Sequence, residues 1–293
     1  MPFFLFKKIV QKENNNGAPL IAVSIFLAGI TIAAAVLVRD KITLPFSKSQ
    51  EQQVPGTGTL EASPEVSPLI SVADNNSPSL GSADAPVVIY EISDFTCPYC
   101  ALAAGFRDDL RQDIIQNAKN NDRQDIVAYW ESWTAPASQI KEKYSDTGKV
   151  RLVFKVIPGH GQPALKAGEA SLCASDQGKF WEYHDTLFAE QPNWYSETAT
   201  GESLTAALKG YAKDLGLDSA AFDQCLDGDI HSKDVMQDYS DSQEIFSQLK
   251  EAGLVDASQS GLGTPTFIIN GQYLAGAQSF SEFEKIIEQE LNK

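Results

Sequence analysis

The sequence predicts an α/β fold that carries a helical insertion and is preceded by a single N-terminal transmembrane helix. Three observations lead there. An apolar run, Val87-Val88-Ile89-Tyr90, leads into a helix-like segment across Cys97-Pro98-Tyr99-Cys100, and a second strand, hairpin and helix close the chain after Gly263. Between them, from about 160 to 252, helical patterns succeed one another without a strand, as an insertion does. Far upstream, Leu20 to Val38 is nineteen residues without a charge, close to the ~20 that cross a bilayer as a helix.

The N-terminal part is basic. Residues 1–41 hold Lys7, Lys8, Lys12, Arg39 and Lys41 against Glu13 and Asp40, a balance of +3. The whole chain of 293 residues carries −16, so the remainder carries −19. A surface that acidic argues against nucleic acid or anionic lipid head groups as partners of the domain. The lysines before the span favour a cytoplasmic position for residues 1–19 and an extracytoplasmic one for the domain, in a protein that crosses the cell membrane once. Arg39 and Lys41 weaken that asymmetry. A cleaved signal peptide ending near Ala33-Ala34-Ala35 is the rival reading. The apolar core is longer than the ~7–15 residues of such a signal, which favours an uncleaved anchor over 20–38. Residues 39–80, with Pro45, Pro55, Pro64, Pro68 and Pro78 and no apolar period, read as a flexible tether.

The domain is expected over 81–293. Ala85 to Ser93 is a buried strand rich in Val and Ile. A helix runs from Pro98 to about Asn117, with Leu102, Phe106, Leu110 and Ile114 as its inward stripe. The stretch 118–136, polar and then carrying Tyr129, Trp130 and Trp133, reads as a helical extension whose tryptophans serve packing. A short helix over Ala137–Tyr144 and a strand over Val150–Ile157 come next, the strand stopped by Pro158-Gly159. Gly178 opens a helix with Phe180, Trp181, His184, Leu187 and Phe188 near one face. His160 and His184 show no carboxylate or thiol at partner spacing and read as packed or surface histidines. Pro265 marks the mouth of the strand Thr266–Ile269 and is a candidate for a cis bond. Asn270-Gly271 pairs that strand with Gln272–Leu274, and an amphipathic helix from Phe280 to Leu291 turns Phe283, Ile286 and Ile287 inward.

Cys-x-x-Cys at a strand-to-helix junction is a redox motif. Cys97 would stand at the helix N-terminus, where unpaired backbone N–H groups and the helix dipole favour thiolate, which makes it the nucleophile. Cys100, one turn inside, would keep its proton longer and resolve the mixed disulfide. Pro98 suits the first turn, where its missing N–H is not needed. The motif also admits an inert disulfide or half of a zinc site. The other two cysteines, Cys173 and Cys225, are single and far apart, so no metal site is expected. No cofactor is expected either.

Taken together, Glu91-Ile92-Ser93-Asp94-Phe95-Thr96-Cys97-Pro98-Tyr99-Cys100, the stretch from Cys173 to Asp185 and Gly263-Thr264-Pro265-Thr266-Phe267 resemble the DsbA-like thioredoxin-fold oxidoreductases, in particular their membrane-anchored bacterial members. The resemblance covers about Gly81 to Lys293 and implies a thioredoxin-like fold. It implies that Pro265 is a cis-proline facing the Cys97–Cys100 pair and that Thr264 offers its backbone to an incoming substrate strand. Glu91 matches a buried acidic position that accepts or passes the proton of Cys100, a surface-satisfied strand end being the alternative. The 118–136 stretch departs from the pattern and alters the substrate groove. Cys173 and Cys225 are expected to form a structural disulfide between two helices, worth roughly 4 kcal/mol for a loop of about fifty residues.

The expected activity is thiol-disulfide exchange that donates disulfides to extracytoplasmic thiol-containing proteins. By the resemblance, a membrane quinone-linked oxidase of the DsbB or vitamin K epoxide reductase type would reoxidise the enzyme. The Pro98-Tyr99 pair lacks the histidine of the Cys-Pro-His-Cys found in DsbA, which predicts a milder oxidant. A disulfide reductase or isomerase, and a non-catalytic tethered module that holds a peptide or Cu(I), are the alternatives.

Overall fold

The computed structural model describes residues 69–75, 77–195 and 201–293. The expected span Leu20–Val38 and most of the expected tether lie outside the described residues. Among the described residues, no helix is long and apolar enough to cross a membrane.

Five strands form one sheet in the order β1-β3-β2-β4-β5: β1 (Ser79–Leu80), β2 (Val87–Ser93), β3 (Val150–Val156), β4 (Thr266–Ile269) and β5 (Gln272–Ala275). β2 and β3 run parallel, and every other pair is antiparallel. A parallel pair needs a crossover. Here it contains α1 (Pro98–Ala103), α2 (Asp108–Asn120), α3 (Gln124–Ser132) and α4 (Pro136–Ile140), the last continued by a wide turn over Lys141–Ser145. Between β3 and β4 lie α5 (Gln162–Ser175), α6 (Phe180–Ala189), α7 (Gln191–Trp194), α8 (Glu202–Asp214), α9 (Ser219–Asp227) and α10 (Ser232–Glu251). α11 (Phe280–Leu291) closes the domain. The expected helical insertion at about 160–252 is therefore present as these six helices.

Side-chain alternation along β2 sorts the core. Val87 and Ile89 pack with Tyr144, Phe283 and Ile287 on one face, whereas Ile92 meets Ile245 and Leu249 of α10 on the other. A third cluster, from Phe95 and Phe154 through Phe188 and Leu208 to Phe222, lies under the insertion. Cys173 of α5 and Cys225 of α9 are disulfide-bonded there, with Cα atoms 5.9 Å apart.

Four details differ from the expectation. Residues 69–80 are not a tether: Ile70 is buried in the α10 cluster and its N–H donates to the Gly271 carbonyl at 2.8 Å. Arg151 pairs with Asp74 at 2.7 Å, and Ser79–Leu80 pair with Leu152–Val153, covering an edge of β3 that would otherwise offer unpaired backbone groups. The helix from Pro98 breaks after Ala103, because Gly105 turns the chain at φ +97°. Of the expected inward stripe only Leu102 is buried; Phe106 is exposed, and α2 buries Ile115 and Ala118 instead. Lys155, polar in the strand alternation, is fully buried and pairs with Asp238 and Asp241 of α10, each at 2.9 Å. Asp238 also accepts the Val156 N–H at 3.0 Å, so the buried ion pair is tied to the strand at two points.

Candidate active site

The site forms where β2 runs out. Ser93 ends the strand, Asp94–Thr96 turn the chain, and Cys97 caps α1 with Pro98 at the first helical position. Asp94 organises the turn. Its Oδ1 accepts the Thr96 N–H at 2.8 Å and the Thr96 hydroxyl at 2.7 Å, and its carbonyl accepts the Cys97 N–H at 3.0 Å. Its Oδ2 takes the backbone N–H of His160 at 3.1 Å and lies 2.7 Å from His160 Nδ1. One fully buried carboxylate thus ties the cysteine turn to the loop after β3. A Cβ at 159 would stand 2.9 Å from Asp94 Oδ2, so a residue larger than Gly159 would have to displace that carboxylate. The Asp94 hydrogen bond raises the His160 pKa, and His160 is near enough to Cys97 to feel its charge. From the insertion, the buried Gln191 amide donates to the carbonyls of Phe95 at 2.7 Å and Cys97 at 3.1 Å.

Cys97 and Cys100 are free thiols, so the structure is that of the reduced pair. The pKa of Cys97 is lowered to about 6. Hydrogen bonding from Cys100 does most of this, opposed by burial and helped by the Thr264 side chain and the backbone N–H groups of Cys100 and Tyr99 at the start of α1. In the opposite sense, burial pushes the Cys100 thiol well up, and its position beside Cys97 pushes it further. One thiol is therefore prepared to attack and its neighbour to hold its proton.

Thr264-Pro265 is a cis peptide, and the Cys97 thiol donates to the Thr264 carbonyl at 3.4 Å. The loop is held by Gly276 N–H on the Pro265 carbonyl at 2.8 Å and by the Thr266 hydroxyl on the Gly263 carbonyl at 2.7 Å. Glu91 sits in β2 opposite Phe154 and Phe267, buried, and burial pushes its carboxyl up to about 7. Ser93, two residues on and hence on the same face, holds down both the rise of Glu91 and that of Cys100. Its buried hydroxyl makes no hydrogen bond. Tyr99 is 45% exposed beside the pair.

The structure thus brings Cys97, Cys100, Pro98, Tyr99, Thr264 and Pro265 together, with Glu91 buried in β2 two residues before Ser93. Cys173 and Cys225 belong to the insertion core. Sequence reasoning did not find Asp94, Ser93, Gln191 or the carboxylate partner of His160. An Asp just before a turn was a readable signal; the 66-residue separation of His160 from Asp94 was not. His184 packs edge-on against Phe154 and Phe188 at 4.8 Å. Cys173, Cys225 and His231 cluster closely enough for a metal, but both sulfurs are committed to the disulfide.

Known proteins share this arrangement of sheet, insertion and sequence. The thioredoxin family pattern matches residues 73–119 and 131–289. A probable disulfide bond formation protein D of Bacillus cereus is 28% identical over 218 residues, 73% of this chain and 79% of the relative. A Na(+)/H(+) antiporter NhaA 1 of Salinispora arenicola is 30% identical over 197 residues, which cover 66% of this chain but 21% of the antiporter. Among solved structures, oxidised BdbD from Bacillus subtilis superposes with a TM-score of 0.56 at 21% identity, covering 77% of this chain and 98% of BdbD. The chain belongs to the thioredoxin family, as a DsbA-like thioredoxin-fold thiol-disulfide oxidoreductase.

Proposed function

We propose that this enzyme donates disulfides to thiol-containing proteins outside the cell membrane through Cys97 and Cys100, with its domain anchored by Leu20–Val38. The observation that carries the reading is the opposed pair at the start of α1: Cys97 lowered to about 6 and Cys100 raised well above an ordinary thiol. A leaving thiolate that is stable makes its disulfide easy to reduce, and hence a good donor.

In the oxidised enzyme a substrate thiolate attacks Cys97 Sγ. A substrate–Cys97 disulfide forms, the Cys97–Cys100 bond breaks, and Cys100 leaves as a thiolate that takes a proton from Glu91 through Ser93. A second substrate thiolate then attacks the substrate sulfur and releases Cys97 as thiolate. The substrate has lost two electrons to the enzyme; its two thiol protons went to water as the thiolates formed, and water returns one to Glu91. Thr264 orients the substrate strand, and Pro265 holds that loop against Cys97. A membrane quinone-linked oxidase of the DsbB or vitamin K epoxide reductase type returns the dithiol to the disulfide. The negative balance of the domain supports protein rather than nucleic-acid partners.

The test uses the full chain in detergent, oxidised, with a reduced unfolded protein as substrate. Disulfides gained by the substrate and thiol pairs gained by the enzyme should match one for one. Cys97→Ser should abolish transfer, and reduced Cys100→Ser, offered a substrate that already carries a disulfide, should accumulate the mixed disulfide on Cys97. Unchanged function in Cys97→Ser would instead support a non-catalytic binding module. For the anchor, the full chain should sediment with membranes and need detergent for release, while a chain starting at residue 42 should not sediment.

A further inference from the structure

The turn that carries Cys97 and the loop after β3 leave the sheet at the same end. β2 and β3 are parallel neighbours, with Ser93 opposite Val156 and the Ser93 carbonyl accepting the Ile157 N–H at 2.9 Å. Residues Pro158 to Gly161 then turn the chain, the Gly161 N–H donating to the Pro158 carbonyl at 3.2 Å, and His160 stands on that turn. Its ring is half exposed. Nδ1 lies 2.7 Å from Oδ2 of the buried Asp94, whose own carbonyl accepts the Cys97 N–H.

Electrostatics gives this link a consequence. Asp94 places a carboxylate out of reach of water, three residues before the nucleophile. Thr96 and the His160 backbone give it neutral donors, and among the described residues the His160 ring is the one cationic side chain paired with it. A buried anion with no counter-charge would oppose negative charge on Cys97 Sγ. Pro98 and Tyr99, between the two cysteines, supply no cation. The charged groups that face the His160 ring are Asp94, from the turn after β2, and Cys97, at the start of α1; its own neighbours Pro158, Gly159, Gly161 and Gln162 are uncharged. The Asp94 hydrogen bond holds the His160 pKa above that of an ordinary imidazole, so a larger share of the ring is charged near neutral pH.

We propose that His160 sets the oxidising strength of this enzyme: held by Asp94 beside the cysteine turn, its imidazolium offsets the buried carboxylate and stabilises the Cys97 thiolate through space. The inference rests on the disulfide-donor reading of Cys97 and names a further residue for that reaction. When the second substrate thiolate bonds to the substrate sulfur, the substrate–Cys97 bond breaks and its electron pair stays on Cys97 Sγ. The His160 charge meets the charge that develops there. In this role the ring neither takes nor gives a proton. Because the ring is half exposed and screened by water, the effect on the exchange equilibrium is about three- to tenfold.

The experiment uses the full chain in detergent as wild type, as His160→Gln, which keeps a donor for Asp94 without the charge, and as His160→Lys, which restores a charge. The Cys97–Cys100 equilibrium is read by thiol trapping in glutathione buffers, together with the pH midpoint of Cys97 alkylation. His160→Gln should move the equilibrium about three- to tenfold towards the disulfide, about 15 to 30 mV more reducing, and raise the alkylation midpoint by about half a unit to one unit. His160→Lys should stay within about twofold of the wild type. Coupling between two charges is mutual, so a further measurement needs no substitution. In the wild type the His160 midpoint, followed by NMR on isotope-labelled histidines, should fall by up to about one unit when the pair is oxidised and the thiolate is gone. Equal equilibria for wild type and His160→Gln, equal displacement of the Gln and Lys variants, or a His160 midpoint indifferent to the redox state would each overturn the inference. A wild-type pair as reducing as thioredoxin would instead contradict disulfide donation, and the differences between variants would still decide the role of His160.

Discussion

A thiol lowered to about 6 is mostly thiolate at neutral pH, and that single property sets the chemistry of Cys97. In the reduced protein its alkylation rate should rise with pH, reach half its maximum near pH 6 and level off above pH 7, while Cys100 stays unreactive. A midpoint above about 8, near that of an ordinary thiol, in a pH series with iodoacetamide would contradict the arrangement. Glu91 carries the opposite kind of shift. A carboxyl held at about 7 by burial binds its proton more tightly in the folded chain than in the unfolded one, so the contribution of Glu91 to stability is greatest below about pH 4.5 and falls as pH rises through about 7. Replacing Glu91 with Gln removes that loss. The variant should be more stable than the wild type by up to about 3 kcal/mol at about pH 8, with the gain disappearing near pH 4.5. Urea unfolding at both pH values checks it; a gain independent of pH would place the benefit in packing. Glu91→Gln should also slow formation of the mixed disulfide, because the departing Cys100 loses its proton source.

Elements were legible in the sequence where their signal is local. Val87–Ser93 is a β-branched run, Asn270-Gly271 supplies the positive φ values of 44° and 86° that a tight hairpin needs, and Phe280–Leu291 has a helical apolar stripe. The break at Gly105 was missed because the four-residue stripe from Leu102 to Ile114 continues across it, and a stripe does not record where the backbone leaves the helix. The burial of Lys155 was not legible for a related reason. Its carboxylate partners Asp238 and Asp241 lie more than eighty residues away on α10, and alternation along β3 cannot announce them. The docking of residues 69–80 escaped because so short and Pro-flanked a stretch has no period to read. It has an energetic consequence. A chain starting at residue 81 loses the burial of Ile70 and the β1–β3 pairing, and should be less stable than one starting at residue 69 by about 3 kcal/mol. Equal urea midpoints for the two would show that the segment merely rests on the domain.

At the scale of the whole molecule, one sheet gathers the site from distant parts of the chain. The parallel β2–β3 pair delivers the cysteine turn and the His160 loop side by side, β4 brings the Thr264-Pro265 loop against Cys97, and the insertion reaches back with Gln191. The Cys-Pro-Tyr-Cys motif and Gly-Thr-Pro were readable as separate signals; their closure around one sulfur required the topology. The same gathering fixes how strong an oxidant the enzyme is. DsbA holds its nucleophile at about 3.5, and each tenfold change in the dithiol–disulfide equilibrium is about 30 mV. A nucleophile at about 6 makes this pair on the order of 70 mV less oxidising than the about −120 mV of DsbA. The measurement that tests disulfide donation most directly is the equilibrium reduction potential of Cys97–Cys100 in the full chain, read by thiol trapping and mass spectrometry in glutathione buffers. A value near about −190 mV is the predicted result. A value near the about −270 mV of thioredoxin would contradict it and make the enzyme a reductase in need of an electron source.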